Sequence, residues 1–255
     1  GRVNLSPFSF FNLFSSNPPV VIFSPSRRVR NNTTKHTLQN VLEVPEVVIN
    51  IVNYAMVQQV SLASTEYAKG INEFKKAGFT ELASEIVKPP RVAEAPVQLE
   101  CKVNEVISLG KEGGAGNLVI CEVVKLHINE EILSEDGSID PFKIDTVSRL
   151  GGNWYSRAKE GLFEVPKPLT TLGIGVDNLP AEIRNSKVLT GNDLGMLGNV
   201  ENFPNSEEIN IFINASEELK KIVSSNNSEV IHRKAQEFLC DGKIKEAWKI
   251  LLGKK

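Results

Sequence analysis

A basic stretch near the N-terminal end has the residue types of a phosphate site. Ser24–Thr37, "SPSRRVRNNTTKHT", places Arg27, Arg28, Arg30 and Lys35 among Ser and Thr hydroxyls, directly before a helical pattern that Thr34 could cap. A helix N-terminus presents unpaired N–H groups and the positive end of its dipole, and both favour phosphate. Arg, Lys and hydroxyl groups add donors. The stretch therefore indicates phosphate binding, and a solvated basic loop is the alternative.

A second candidate stretch, "NLSPFSFFNLF" at Asn4–Phe14, precedes the basic one. If it is a strand, Pro7 cannot donate a ladder hydrogen bond, so neighbouring backbone groups must find another partner. Asn4, Ser6 and Ser9 add short polar side chains, an environment that suits a flat heteroaromatic ligand. The residues alone slightly favour an edge strand with a bulge and an aromatic core face.

A third stretch, "VSRLGGNWYSR" at Val147–Arg157, combines adjacent glycines with Arg149, Trp154 and Tyr155. Adjacent glycines let backbone approach a partner closely, although a tight turn with an aromatic anchor fits equally well.

The sequence offers no acid–base pair, nucleophile or metal-ligand set. It has no dinucleotide fingerprint, P-loop, GxSxG or HExxH motif, and its three histidines are dispersed. His36 could touch a bound phosphate, whereas His127 and His232 fit structural roles. The catalytic residues are unknown at this level, which is typical of chemistry carried mainly by a cofactor.

The elements that must position these residues are mostly strands in the first 150 positions. Val- and Ile-rich runs predict strands over Pro18–Ser26, Pro45–Val52, Pro96–Leu109 and Asn117–Ile128, with a hairpin loop at "GKEGGAGN" between the last two. Helical spacing appears in Lys35–Glu43, after the Thr34 cap, and in Gly70–Phe79. Many short strands with local helices predict a mainly β fold, a β-barrel with helical insertions.

The remainder of the chain has loop and helix patterns instead of strand patterns. Residues 151 to about 210 predict loops, whereas the chain from Ser216 onward predicts helices, the last two divided by Gly242. We therefore expect residues 1–165 to form the β domain and residues 166–255 to form a loop-rich and helical extension, packed on the barrel or on a dimer partner.

Composition limits the function classes. The 255 residues carry a net charge of −2, which gives no support to nucleic-acid binding. No apolar run reaches the roughly 18 residues of a membrane helix, so we expect no membrane partner. Three widely spaced cysteines indicate a reducing compartment, and we expect a cytoplasmic protein.

Taken in order, several segments resemble the flavin reductase-like family, the FMN-binding split β-barrel proteins. The matching segments are "NLSPFSFFN", "PPVVIFSPS", "NNTTKHTLQNV", "VVINIV", "SLASTEYAKGINEF", "PPRVAEAPVQLEC", "ICEVVKLHI" and "SRLGGNWYSR". Each segment is weak alone, and the ordered set across residues 2 to about 165 is more specific.

The resemblance implies a six-stranded split barrel that binds FMN at a homodimer interface. It implies that Asn4, Leu5, Ser6, Pro7, Phe8 and Ser9 line the flavin ring edge, and that Phe23, Ser24 and Ser26 follow the ribityl chain. It places Lys35 and Thr37 near the phosphate, Ala63, Ser64 and Thr65 in a second loop near the flavin, and Arg149 and Tyr155 in the closing motif. The family also has a strand before the opening motif, and we expect this N-terminal strand to be missing from the sequence.

The implied function is hydride transfer from NAD(P)H to FMN, followed by electron transfer to free flavin or another small redox acceptor. One alternative is a flavoredoxin-like FMN carrier with little NAD(P)H turnover. Another is a split-barrel binding protein that has lost flavin, although the basic Ser/Thr stretch disfavours it.

Overall fold

An antiparallel sheet built from Val- and Ile-rich runs forms the centre of the first part of the chain. The computed structural model describes residues 2–165 and 172–253. Its strands are β1 (Phe11–Ser16), β2 (Pro19–Phe23), β3 (Glu46–Asn50), β4 (Glu81–Leu82), β5 (Arg91–Val92), β6 (Val97–Ser108), β7 (Asn117–Ile128), β8 (Val147–Gly151) and β9 (Trp154–Arg157). The main sheet has the order β1-β2-β7-β6-β3, and the pairs β4-β5 and β8-β9 stand apart from it.

The two longest strands of this sheet form the β6–β7 hairpin, which confirms the predicted strands and loop. Its strands pair from Val97 with Ile128 to Ser108 with Asn117, and bulges lie at Glu100/Cys101 and Val103/Glu105. Alternate side chains of β7 are buried, as a sheet with one covered face requires. The covered face includes Val119 and Cys121, which pack with Phe23, Leu38 and Val41.

The mainly β prediction is confirmed as an antiparallel sheet with helices, and closure of that sheet into a six-stranded split barrel stays a prediction. Within the described residues, the main sheet has five strands, with β1 and β3 at its two edges. A sheet closes into a barrel only when its edge strands pair.

The expected strand at the opening motif is also displaced. Asn4–Ser9 is irregular, and β1 begins at Phe11. Phe8 and Phe11 pack against the core of the sheet, whereas Phe10 and Phe14 are exposed. The proline therefore lies in a segment before the strand, where no ladder hydrogen bond is required of it.

Six of the ten helices in the described part of the chain begin at a residue whose side chain accepts a hydrogen bond from the first turn. The ten helices are α1 (His36–Glu43), α2 (Val57–Ala63), α3 (Glu73–Ala77), α4 (Pro141–Ile144), α5 (Ala181–Arg184), α6 (Gly191–Gly198), α7 (Ser206–Asn214), α8 (Glu217–Ser224), α9 (Ser228–Cys240) and α10 (Ile244–Leu252). Short 3-10 turns occupy Tyr54–Met56, Glu130–Ile132, Ala158–Gly161 and Val176–Asn178.

The predicted cap of α1 was wrong by one residue. Lys35 occupies the cap position, and no side chain caps the helix. Thr34 Oγ1 instead accepts a hydrogen bond from Gln39 Nε2 at 3.1 Å. The first N–H groups of α1 are therefore left without a side-chain acceptor.

The chain divides into two compact units, Gly1–Phe163 and Glu164–Lys255. In the second unit, Ser216 caps α8 and Gly242, with a φ of 72°, separates α9 from α10, as the sequence predicts. The expectation of loops up to about residue 210 was wrong for α6 and α7, which begin with capping boxes at Thr190 and Asn205.

The second unit has its own core, centred on Trp248. This indole is buried among Leu197, Ile231 and Ile250, and its Nε1 donates to the Leu197 carbonyl at 3.1 Å. The predicted boundary between residues 165 and 166 borders residues 166–171, which lie outside the described residues. The packing of this extension on the barrel or a partner stays a prediction.

Candidate functional site

Three adjoining cavities surround the opening motif in the first unit. We name them the polar cavity, of about 380 Å³, the apolar cavity, of about 440 Å³, and the side cavity, of about 200 Å³. Asn4, Leu5 and Thr37 line all three. The polar and apolar cavities also share Ser6 and Ala63, so they form one continuous site with two chemically different ends.

The irregular segment Asn4–Ser9 lines both ends of the site, the polar cavity through Asn4, Leu5 and Ser6 and the apolar cavity along its whole length. Asn4 Nδ2 donates to Thr37 Oγ1 at 2.8 Å, and the Leu5 N–H donates to Glu73 Oε2 at 3.1 Å. These bonds hold the segment against α1 and α3. The N–H groups of Ser6 and Phe8 have no hydrogen-bond partner within the described part of the chain, so they are available to a ligand.

Lys35 is a partly buried cation of the polar cavity. Its ammonium lies 5.2 Å from the centroid of the Phe8 ring. Burial lowers the pKa of Lys35, and the neighbouring charges of Arg28 and Arg149 lower it further, partly opposed by Glu66. A partly buried cation beside two more cations creates a positive potential that an anion would relieve.

The start of α1 strengthens the same potential. Lys35, His36 and Thr37 line the polar cavity, and the helix has no side-chain cap there. The unpaired N–H groups and the dipole of its first turn act at the end where the Lys35 ammonium lies. This donor set fits a phosphate group.

The arginines of the basic stretch form hydrogen bonds and ion pairs with other residues of the chain. Arg27 donates from Nε to Asn32 Oδ1 at 2.6 Å and does not line the cavities. Arg28 donates to Thr33 Oγ1 and to the Thr34 carbonyl. The stretch is therefore an organised loop in which Arg28 and Arg30 pair with Glu66, while Arg27 and Lys35 have no ion pair within the described residues and only Lys35 of these two lines a cavity.

The second predicted loop, Ala63, Ser64 and Thr65, also lines the polar cavity. It follows the end of α2, where the Ser64 hydroxyl donates to the Ser61 carbonyl. The Thr65 hydroxyl has no partner within the described residues and is exposed, so it can donate to a ligand in this cavity.

The apolar cavity has the character of a binding site for a ring system. It is lined by Pro7, Phe8, Ser9, Phe11, Phe23, Val47, Val48, Ile49, Asn50, Ile51, Val52, Met56, Val60, Phe79, Val92, Thr146, Val147, Ser148 and Arg149, besides the residues shared with the polar cavity. Phe8 and Phe23 form a tilted ring pair at 5.4 Å. Few convergent polar groups among many apolar ones are typical of small-molecule sites.

Three predicted site residues lie outside these cavities. Ser24 is buried, and its Oγ accepts from the Asn117 N–H at 3.1 Å at the start of β7. Ser26 lines none of the cavities. Tyr155 is 40% exposed on β9, where it pairs with Arg149 of β8. The structure thus brings Arg149 to the site without its strand neighbour, and the roles of Ser24, Ser26 and Tyr155 stay predictions.

The sequence prediction did not include two carboxylates of the polar cavity. Glu73, only 7% exposed, accepts from the Leu5 N–H, and Glu66 pairs with Arg28 and Arg30. Glu66 directly follows the predicted loop, and Glu73 follows the Asn72 cap of α3, so their proximity to predicted elements is the signal available in the sequence. The contact of Glu73 with Leu5 and those of Glu66 with Arg28 and Arg30 depend on long-range packing.

Metal coordination finds no support among the described residues, nor does chemistry by the two buried thiols of the sheet. No group of three His, Cys, Asp or Glu side chains is placed to hold a metal ion in that part of the chain. Burial raises the pKa of the Cys101 and Cys121 thiols to about 12, so both remain protonated at neutral pH. Within the described residues, no helix has the length and apolar character needed to cross a membrane.

Comparison with protein families gives a match over the first unit. The family model described as flavin reductase like domain matches residues 1–142. An uncharacterized protein from Aquifex aeolicus is 35% identical over 158 residues, which are 62% of this chain and 78% of that protein.

Two solved structures have similar folds. Nitrilotriacetate monooxygenase component B from Bacillus cereus is 29% identical, with a TM-score of 0.59 over 64% of this chain and 79% of that one. A structure described as a candidate flavin reductase with a split barrel domain, from Shewanella frigidimarina, is 28% identical, with a TM-score of 0.55 over 64% of this chain and 78% of that one. The first part of the chain is therefore similar to split-barrel flavin reductases.

Proposed function

This chain belongs to the flavin reductase like domain family, and we propose that it binds FMN and transfers electrons from NAD(P)H through it to a small redox acceptor. The carrying observation is the continuous site whose one end is polar and cationic and whose other end is apolar. FMN has the same division, between a phosphate and a ring system.

The polar end would hold the phosphate. Lys35 supplies a cation, the first turn of α1 supplies N–H groups around Thr37, and Thr65 supplies a hydroxyl from the loop after α2. These groups come from two separate parts of the chain that line the same cavity. They would therefore fix the position of the phosphate as well as bind it.

The apolar end would hold the ring system. The Asn4–Ser9 segment presents the free N–H groups of Ser6 and Phe8 along one side, where donors can meet the polar rim of the ring. Phe8, Phe23 and the side chains of β3 supply apolar surface that excludes water.

Bound FMN would supply the redox chemistry itself, accepting a hydride and passing on electrons singly or in pairs. The chain would bind and orient the flavin, exclude water from one face, and supply donors at the ring edge through Asn4–Ser9. This division of tasks agrees with a sequence in which no acid–base pair could be identified.

A homodimer and a cytoplasmic location are further parts of the proposal. Exposed apolar side chains on and beside β1, namely Phe10, Leu13 and Phe14, give the first unit a surface suited to a second copy. The cytoplasmic location rests on the free state of all three cysteines.

Flavin spectroscopy of the purified chain tests the proposal. We expect the chain to gain flavin absorbance when mixed with FMN, and the bound flavin to bleach on anaerobic addition of NADH or NADPH. A protein that binds no FMN would refute the proposal. Bound FMN that neither nucleotide bleaches would instead support the electron-carrier alternative.

A further inference from the structure

A carboxylate stands between two arginines at the polar cavity. Glu66 Oε1 lies 2.7 Å from Arg28 Nε, and Glu66 Oε2 lies 3.1 Å from Arg30 Nη2. Each oxygen of the carboxylate thus has its own guanidinium. All three residues line the polar cavity, so the bridge they form is part of the wall of the candidate site.

The two arginines differ in how firmly they are held. The Arg28 side chain is 19% exposed, and its Nη1 also donates to Thr33 Oγ1 and to the Thr34 carbonyl. The Arg30 side chain is 81% exposed and has no other partner among the described residues. Arg28 therefore fixes the bridge to the loop, while Arg30 covers its solvent side.

The charge of Glu66 changes what the cavity can accept beyond a single phosphate. A carboxylate only accepts hydrogen bonds, and it occupies donors that two guanidinium groups would otherwise offer to an anion. Glu66 also cancels one of the two guanidinium charges, so a second phosphate beside the first would be attracted less strongly than by the two arginines alone.

We propose that Glu66 makes the site selective for a mononucleotide flavin over a dinucleotide flavin, because the bridge that it forms with Arg28 and Arg30 opposes a second phosphate. This inference rests on the proposed function, since it places the flavin phosphate beside Lys35 and Thr37. FMN ends with the phosphate that those residues would bind. The second phosphate and adenosine of FAD would have to displace the bridge.

Calorimetric titration of the flavin-free chain with FMN, FAD and riboflavin tests this selectivity. In Glu66→Gln, we expect the affinity ratio of FMN to FAD to fall by about tenfold, because both guanidinium groups become available to the second phosphate. Riboflavin affinity should not change, because riboflavin carries no phosphate. The exposed Glu105, which lines none of the cavities, provides a matched control in Glu105→Gln.

A second variant separates the effect of the Glu66 charge from the effect of opening the bridge between Glu66 and the two arginines. Arg30→Gln leaves the Glu66–Arg28 pair in place and exposes the charge of Glu66, so the FMN to FAD ratio should rise. If Glu66→Gln leaves the ratio unchanged, or if Arg30→Gln lowers it as Glu66→Gln does, the inference is wrong while the proposed function stands. A native chain that binds none of the three flavins would overturn the proposed function as well.

Discussion

Lys35 is the cation of the candidate site that is best placed to bind a phosphate. It lies at the N-terminal boundary of α1, beside the Phe8 ring, and burial together with Arg28 and Arg149 lowers its pKa. The arginines of the same loop are engaged with Asn32, Thr33, Thr34 and Glu66. A bound phosphate would thus find its nearest uncompensated cation at Lys35.

Replacing Lys35 by alanine should weaken FMN binding by about 1.5–3 kcal/mol, the range for a hydrogen bond to a charged group. Titration of flavin fluorescence measures the affinity. Riboflavin binding should change much less, because the lost contact is with the phosphate.

The control variant for this prediction is Lys102→Ala. Lys102 is exposed on β6 and lines none of the cavities. Unchanged FMN affinity in Lys35→Ala, or an equal loss of riboflavin affinity, would remove Lys35 from the phosphate end.

At the level of elements, the buried carboxylate of Glu100 joins the long hairpin to the loop before β5. Glu100 is fully buried on β6 and accepts from the N–H groups of Glu85, Ile86 and Val87 at 2.7–3.0 Å. His127 Nε2 of β7 lies 2.7 Å from the same carboxylate. The loop that it anchors continues into Lys88, Pro89 and Pro90, which line the side cavity.

Burial alone would raise the pKa of Glu100. The three backbone N–H groups and His127 outweigh it and lower the pKa from 4.5 to about 2. Because the folded-state pKa is the lower one, the ionised carboxylate stabilises the fold above about pH 4.5, and this contribution is lost as the pH falls towards 2.

We therefore expect Glu100→Gln to lower the free energy of unfolding by at least about 2 kcal/mol at pH 7. The difference from the native chain should shrink as the pH falls below 4.5. Urea unfolding of both proteins from pH 7 to pH 3 measures it, with Glu105→Gln as the exposed control. A difference that stays constant across this range would show that the ionised carboxylate is not the source of the stability.

At the level of the whole molecule, two units with separate cores divide the chain. The core around Trp248 belongs to the second unit, and the cores around Cys121 and Phe74 belong to the first. The family match ends at residue 142 and the candidate site lies within the first unit. The proposed function is therefore a statement about the first unit.

Exposed apolar residues of β1 lead to a prediction about assembly. Leu13 is 56% exposed, and its neighbours Asn12 and Phe14 are exposed as well. If this surface contacts a second copy, Leu13→Lys should weaken dimerisation at least about tenfold by placing a charge in the interface. Light scattering coupled to size-exclusion chromatography, over a dilution series, measures the change.

The matched control is Ile211→Lys in the second unit, at a position that is 64% exposed on α7. We expect it to leave the dimer intact. Dissociation by Ile211→Lys, with Leu13→Lys remaining dimeric, would place the contact between copies on the second unit.

Local patterns in the sequence determined most of the elements. The alternation of Asn117–Ile128 predicts β7, and Ser216 and Gly242 mark the start of α8 and the boundary of α9 and α10. These signals work because side-chain periodicity and capping depend on residues a few positions apart. The prediction missed α6, whose glycine-rich sequence reads as a loop, because its capping box and packing outweigh that composition.

The sequence also supplied the residues that we propose to bind flavin, whereas tertiary structure decided how they meet. Asn4 contacts Thr37 across 33 positions, and Leu5 contacts Glu73 across 68. The same packing takes Ser24 into the sheet, leaves Lys35 facing the cavity and places Glu66 between two arginines. No local periodicity encodes these distances, because they result from the way the core brings separate elements together.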